Sequence, residues 1–556
     1  MKNSENRAEL LMPAGNLQKL KTAILYGADA VYLGTPDMSL RTKSEFSLEE
    51  VVEGVKFAHM HQKRVYLTLN LFSHNKDIDK LPIYLDTVRE VQPDGLIISD
   101  PGVFMFVKET APELELHVST QANVCSWQSV KFWAEQGAAL CVLGREVSFA
   151  ELTEIRQKCP NIKLEAFVHG AMCMTYSGRC LLSNFMAERG ANQGACANSC
   201  RWKYKVHIRL KDGTLNELAL TDENLGLFEF LLEEGLRPGE FMPIEEDHRG
   251  SYILSSKDLC IMPKLDDYLK IGVNSLKVEG RGKSVYYVAM VARAYRMAID
   301  DWYQDPSIWN PKKYMKELMA IPNRGYTYAF HEGRLTNHSH GYESTGTIGK
   351  YEFAGIIISH DKDAFIVEGK NKLAAGDVLE FIPPNLSSPI LLRVYEFEDA
   401  LTGNISTSVN PGHNAQFRIP FHHFHAEEKK YLQKALPPMS VIKKEKHLNE
   451  ESQKRIILDK ETLRLESGAG SENNYIKAQQ ELRLSIEKNN KNVKLKSPRL
   501  GKEGCCGKGC NGCLIFWHDP SYEKPRQLLA KKKQGELLSM KLNSNFLAPD
   551  PIISSN

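Results

Sequence analysis

The chain has 556 residues, 42% of them hydrophobic and a quarter charged, with 71 Lys and Arg against 69 Asp and Glu. That length and balance describe several water-soluble domains with a large core, and exclude a collagen-like, wholly disordered or disulfide-stapled chain. No run of about eighteen apolar residues occurs, and the start, MKNSENRAELLMPAG, lacks the basic and apolar segments of a secretory leader. A cytoplasmic location without membrane attachment is expected, and in that reducing compartment the twelve cysteines are expected to be metal ligands or thiols.

From residue 10 onward a short apolar strand ending in glycine or a polar cluster alternates with a helix-like stretch. Candidate strands are 10–16, 30–34, 65–70, 95–102, 114–123, 139–146, 163–170 and 275–281. Between them, stretches such as LQKLKTAILYGA and VKFWAEQGA carry apolar residues at helical spacing and glycine stops. GLIISD and ALCVLG read as the near-continuous apolar runs of buried parallel strands. Eight strands alternating with helices predict an α/β fold, a TIM-type (β/α)8 barrel over residues 1–325. Its active site is then expected at the C-terminal mouth, lined by Asn70, Ser99, Asp100, Ser119, Gln121, Asn123, Arg145, Glu146, His169, Glu279 and Arg281.

The gap from about 171 to 273 is too long for one helix and predicts an insertion that covers the mouth like a lid. It opens with FVHGAMCMTYSGRCLLSNFMAERGANQGACANSCRWKY, in which Cys173, Cys180, Cys196 and Cys200 are spaced C-x6-C-x15-C-x3-C. Four thiolates from one stretch can close around an iron–sulfur cluster or a tetrahedral zinc. Structural zinc favours closer pairs, and only Cys196 and Cys200 approach that spacing; small buried thiols are the plain alternative. Cys260, in LSSKDLC, lies at what reads as the end of another strand and is a substitute for one of the four.

Residues of about 340–425 change to alternating patterns, as in STGTIGKYEFAGIIISHDKDAFIVEG, and predict a small antiparallel β-barrel domain. Residues 426–500 are rich in Lys, Glu and Asn and read as a polar linker. Residues 501–556 form a basic tail in which Cys505, Cys506, Cys510 and Cys513 crowd beside Phe516 and Trp517, a second candidate metal site. Residues 429–556 carry 25 Lys and Arg against 14 Asp and Glu, an excess of +11, leaving −9 for residues 1–428. A basic segment of this kind suits RNA, or is a solvated tail without a partner.

Arg145 and Arg281 stand at strand ends, and Arg179 and Arg201 lie between and after the cysteines; they are substrate-binding candidates for the ligand that the resemblance below implies. Gln121 is a further substrate-binding candidate, and His169, Glu165 and Asp258 are candidates for proton transfer by position. Trp202, Tyr204 and Tyr176 could stack on an unpaired base. No HExxH helix, GxSxG elbow, P-loop or GxGxxG run appears, so hydrolytic or nucleotide-binding chemistry has no visible machinery.

The runs ELLMPAGN, YGADAVYLG, ISDPG, HVSTQANV, FVHGAMCMTYSGRCLLS, NQGACANSCRW, SSKDL and SLKVEGR resemble the collagenase-like peptidase family U32, from about residue 8 to about 420. The resemblance is strongest to its branch that hydroxylates wobble uridine of tRNA to 5-hydroxyuridine with prephenate. It implies an iron–sulfur cluster, expected to be [4Fe–4S], on Cys173, Cys180, Cys196 and Cys200, with prephenate as dicarboxylate oxygen donor. The anticodon loop of tRNA is the implied partner, and a partner subunit is a further expectation from relatives that act in pairs. The alternatives are a peptidase, as the family name says, and a non-catalytic iron–sulfur subunit that binds RNA.

Overall fold

The structure, a computed structural model, describes residues 7–34, 46–70, 73–172, 256–333, 349–385, 388–411, 415–424 and 429–446, with the backbone of five short strands between residues 207 and 252. Apolar runs too short for helices become strands, and polar caps start the helices that follow. Strand β1 (Glu9–Pro13) is buried throughout, and Asn16 then accepts a hydrogen bond from the Lys19 amide to open α1 (Leu17–Leu25). After β2 (Ala30–Gly34), Ser47 and Glu50 form a reciprocal capping box at the start of α2 (Leu48–Met60).

The same alternation continues through β3 (Arg64–Leu69), α3 (Asn75–Ile78), α4 (Leu81–Val91), β4 (Gly95–Ile98) and α5 (Pro101–Thr110). It ends with β5 (Leu116–Val118), α6 (Trp127–Glu135), β6 (Leu140–Val142), α7 (Phe149–Lys158) and β7 (Lys163–Ala171). The insertion then contributes β8 (His207–Arg209), β9 (Leu215–Glu217), β10 (Phe230–Glu233), β11 (Phe241–Asp247) and β12 (Gly250–Tyr252), paired antiparallel as β8 with β9 and as β10–β11–β12. The chain returns through β13 (Asp258–Cys260), α8 (Leu265–Lys270), β14 (Ser275–Val278), α9 (Val285–Gln304), α10 (Lys312–Leu318) and β15 (Tyr326–Thr327).

Strands β1 to β7 pair in parallel and in order, and β14 closes the ring by pairing with both β1 and β7, with Ser275 opposite Glu9 and Glu165. This is a closed eight-stranded parallel barrel, the expected TIM-like fold. Side chains such as Leu10, Met12, Leu33, Leu67 and Ile98 pack outward in the core that also buries α9. Each such aliphatic side chain contributes about 1.5–3 kcal/mol through burial. Strand β13 runs antiparallel to the last residues of β7, placing Leu259 opposite Gly170 and Cys260 opposite His169. The insertion therefore leaves and re-enters the barrel at the C-terminal end of one strand.

The second domain is a curled antiparallel sheet, a half-barrel. Its elements are β16 (Tyr351–His360), β17 (Ala364–Gly369), β18 (Leu373–Ala374), β19 (Val378–Ile382), β20 (Ile390–Arg393), β21 (Phe397–Asp399), β22 (Ile405–Ser406), β23 (Ser408–Val409), β24 (Gln416–Pro420), α11 (Lys429–Ala435) and β25 (Val441–Glu445). The large sheet runs β20–β19–β25–β16–β17–β24–β21–β22. Phe365, Phe381, Phe397 and Phe417 fill its concave side.

The polar linker expected from residue 426 is corrected here. α11 and β25 fall inside it, and β25 sits mid-sheet between β19 and β16. Its lysines read as linker residues, yet Lys443 pairs with Glu380 and Lys444 with Asp377 and Glu352 across neighbouring strands. Val441 and Ile442 between them are buried.

An arginine and a tyrosine join the half-barrel to the barrel's helix layer. The Tyr26 hydroxyl donates to the Ile382 carbonyl at 2.6 Å and accepts from the Val441 amide at 2.9 Å. Arg293 donates to the Pro383 carbonyl at 2.8 Å. The Arg296 guanidinium stays within the barrel, pairing with Asp29 and Asp300.

Candidate active site at the barrel mouth

Strand alternation puts every second side chain of β14 inside the barrel, which sets a charged ladder along its axis. At its lower end Glu9, Tyr66, Glu165, Ser275 and Lys277 are buried together. Lys277 Nζ lies 2.7 Å from Glu165, and the Ser275 hydroxyl stands 2.7 Å from Glu165 and 3.1 Å from Glu9. One hydroxyl proton cannot serve two carboxylates, and burial raises the Glu9 carboxyl above its ordinary range against the opposing pull of Arg64. Ser275 thus bridges two carboxylates, Glu9 beside Arg64 and Glu165 beside Lys277.

Above this layer lie aromatic faces. The Lys277 ammonium is 4.4 Å from the Tyr32 ring centroid, and Tyr32 donates its hydroxyl to the Val278 carbonyl at 2.9 Å. The Arg145 guanidinium lies 3.9 Å from the Phe167 ring centroid, a cation–π contact.

At the mouth itself, Arg145 after β6 reaches Glu279 after β14 at 3.2 Å. Arg281 donates to Thr68 of β3 at 3.1 Å, and Asn70 donates to Ser119 at 3.4 Å. Loops after β3, β5, β6 and β14 thus supply two guanidiniums, a carboxylate, an amide and hydroxyls to one face. Glycines make the close approach possible. The Arg281 carbonyl occupies the space a side chain on Gly15 would need, and Gly170, at φ +124°, lies against Glu279 so that an added Cβ would meet its carbonyl oxygen at 2.5 Å.

The other expected residues follow the ends of β4, β5 and β6, several of them engaged in local caps and turns. Asp100 is the N-cap of α5, accepting from the Gly102 and Val103 amides. Ser119 accepts from the Gln121 amide at 3.3 Å in the turn after β5, leaving Gln121 half-buried, and Asn123 takes a left-handed conformation at the end of that turn. Ser99 is buried at the end of β4. Glu146 lies beside Cys125.

The three proton-transfer candidates occupy three separate places. Glu165 is inside the barrel beneath the mouth, on Lys277. His169 sits in the shell between barrel and helices, among the rings of Tyr287 and Tyr295 from α9 and Tyr326 from β15. Burial there, with Lys283 nearby, pushes its imidazole down to about 3, so it is neutral at neutral pH. Asp258 is held by the Arg324 guanidinium and main chain, with Nε at 3.0 Å.

Cys260 is buried with its Sγ 3.8 Å from the Met315 sulfur of α10. Cys173, Cys180, Cys196, Cys200, Arg179, Arg201, Tyr176, Trp202 and Tyr204 lie outside the described residues, as do Cys505, Cys506, Cys510, Cys513, Phe516 and Trp517. The point of departure is nonetheless defined, because Met172, directly before Cys173, is buried at the C-terminal end of β7. Among the described residues no group of three or more His, Cys, Asp or Glu is arranged to hold a metal, and no helix is long and apolar enough to cross a membrane.

Sequence reading missed Lys277, Glu9 and Ser275. Their signal is a charged or polar residue alternating with Leu276 and Val278 in a strand that is otherwise apolar.

A parallel barrel with its charged groups gathered at the C-terminal face defines the (β/α)8 class. Within it, the chain belongs to Peptidase family U32, whose family model matches residues 15–341. It is 40% identical over 398 residues to tRNA hydroxylation protein P of Escherichia coli (strain K12), covering 68% of this chain and 86% of the relative. The tRNA hydroxylation protein P of Haemophilus influenzae is 37% identical over 443 residues, covering 74% and 94%. The 23S rRNA 5-hydroxycytidine C2501 synthase of Escherichia coli is 29% identical over 387 residues, covering 68% and 53%.

Proposed function

We propose that this chain is a tRNA-modifying enzyme that hydroxylates carbon 5 of the wobble uridine, with prephenate as oxygen donor. The observation that carries the reading is the 40% identity to a protein named for tRNA hydroxylation over 86% of that protein's length. The third relative, named for forming 5-hydroxycytidine in rRNA, has the same kind of product on a different pyrimidine and supports carbon 5 as the site of chemistry.

The mouth suits this chemistry. Arg145 and Arg281 offer planar, permanently charged donors to the carboxylates of a dicarboxylate donor. Replacing the carbon-5 hydrogen by hydroxyl oxidises the ring by two electrons; the donor accepts them as its own C–O bond breaks and takes up one proton, while carbon 5 loses one. Glu279 at the mouth and the Glu165–Lys277 pair beneath it are candidates to receive that proton. The four-cysteine set begins in sequence one residue past Met172, which follows β7. Four thiolates fit a [4Fe–4S] cluster, and Cys173, Cys180, Cys196 and Cys200 would hold it. Such a group supplies electron transfer or a Lewis-acidic iron when bound.

The test combines purified protein, tRNA from cells lacking it, and prephenate. A gain of one oxygen on the wobble uridine, dependent on prephenate, supports the reading; unmodified tRNA under conditions that keep the protein's iron intact contradicts it.

A further inference from the structure

Between the barrel and the half-barrel lies an open cleft of about 350 Å³ that the proposed chemistry leaves unused. Its floor is built by Tyr286 of α9 and Phe353 of β16, whose rings stack with centroids 5.6 Å apart and planes 11° from parallel. Lys283 and Lys446 both line it. Lys283 follows Arg281 by two residues, so the cleft opens from the same loop that bears the mouth arginine.

The charge of this cleft is one-sided. Its carboxylate, Glu352, is already paired with Lys444 at 3.4 Å. Lys283 lies 5.4 Å from the Tyr287 ring centroid, and among the described residues neither Lys283 nor Lys446 forms an ion pair. The first turn of α9, which begins at the Ser284 cap in the cleft, contains no acidic residue to offset its positive end. Two cations lining one open, half-apolar trough suit a charged strand running along it better than an enclosed small anion.

We propose that this cleft is a docking groove for the phosphate backbone of the RNA strand that enters the barrel mouth. The proposal rests on the reading of RNA as substrate, and makes Lys283 and Lys446 the contacts to phosphates flanking the modified nucleotide. Such contacts supply position and affinity without reading sequence.

The test measures binding of unmodified tRNA to the full-length protein over a series of salt concentrations. It uses wild type, Lys283→Ala, Lys446→Ala, the double variant, and Lys131→Ala on the outer helix α6 as control. The replaced lysines are at least partly exposed, and circular dichroism confirms that the variants fold. The double variant is expected to bind roughly tenfold more weakly, with the slope of log affinity against log salt reduced by about 1.4, or about 0.7 per lost single-strand phosphate contact. Lys131→Ala is expected to match wild type.

A double variant with wild-type affinity and slope overturns the proposal, as does wild-type protein without salt-dependent tRNA binding. Nucleoside analysis separates this from the functional reading. If 5-hydroxyuridine depends on the chain while the double variant binds normally, the groove fails and the enzyme stands. If the groove variants lose binding but no hydroxylated nucleoside depends on the chain, the groove stands and the enzyme fails.

Discussion

Arg145 and Glu279 meet across the barrel mouth at 3.2 Å, tying the loop after β6 to the loop after β14, while the same guanidinium lies on the face of Phe167. A lysine cannot both stack flat on Phe167 and direct a forked pair of donors toward a carboxylate. Arg145→Lys is therefore expected to fold, with a thermal midpoint within about 4 °C of wild type, yet to lower 5-hydroxyuridine in tRNA at least roughly tenfold, a loss of about 1.4 kcal/mol in transition-state binding. Nucleoside quantification alongside thermal unfolding checks both halves.

Lys277 and Glu165 form an ion pair inside the barrel, with side chains 6% and 1% exposed. Removing one partner strands the other charge, so Lys277→Met is expected to destabilise the protein by about 3–5 kcal/mol. Lys277→Met with Glu165→Gln is expected to recover much of that loss. Denaturant midpoints of the two variants decide the matter, and equal midpoints would contradict the pairing.

The neutral His169 predicts a pH dependence with a definite sign. Its folded pKa is about 3 against an ordinary 6.5, so the unfolded chain binds the proton first. The stability this environment confers is complete above about pH 6.5 and is lost progressively as pH falls from 6.5 toward 3. His169→Gln is expected to flatten the stability profile in that window, measured by thermal unfolding at stepped pH. An unchanged slope would show that His169 does not titrate as its burial requires.

Much of this architecture is legible in the residues, for a physical reason. Each of the eight barrel strands falls within or beside an expected run, because parallel strands buried on both faces are mostly apolar, as in GLII and AVYLG; the expected ends run too long, as in 114–123 against Leu116–Val118. β25 falls in no expected strand, because VIKKE carries two lysines whose partners, Glu380 and Asp377, are more than sixty residues away in sequence. At the site, Arg145, Arg281, Asn70 and Ser119 follow from strand ends. Asp100 reads the same way but is consumed as a helix cap, since a carboxylate before Pro-Gly serves the free amides of the first turn. Glu9 and Lys277 look like surface residues until barrel closure brings β1, β7 and β14 together.

Tyr26 predicts how the two domains are coupled. Its hydroxyl satisfies both the Ile382 carbonyl and the Val441 amide in a buried contact. Tyr26→Phe leaves both without that partner and is expected to cost about 1–3 kcal/mol. Limited proteolysis should then cut faster near the half-barrel, and a variant as resistant as wild type would count against this coupling.

Cysteine replacement tests the proposed ligand set. Cys260 packs against Met315 in the core, so Cys260→Ser is expected to retain iron and sulfide after anaerobic purification, whereas Cys200→Ser is expected to lose them. The reverse pattern would make Cys260 the fourth ligand.

The most direct test of the account is mass spectrometry of tRNA nucleosides from cells lacking this chain, complemented with wild type or Cys173→Ala. The account predicts that 5-hydroxyuridine and its derivatives disappear without the chain and return only with wild type. Nucleosides unchanged by its loss would contradict wobble-uridine hydroxylation.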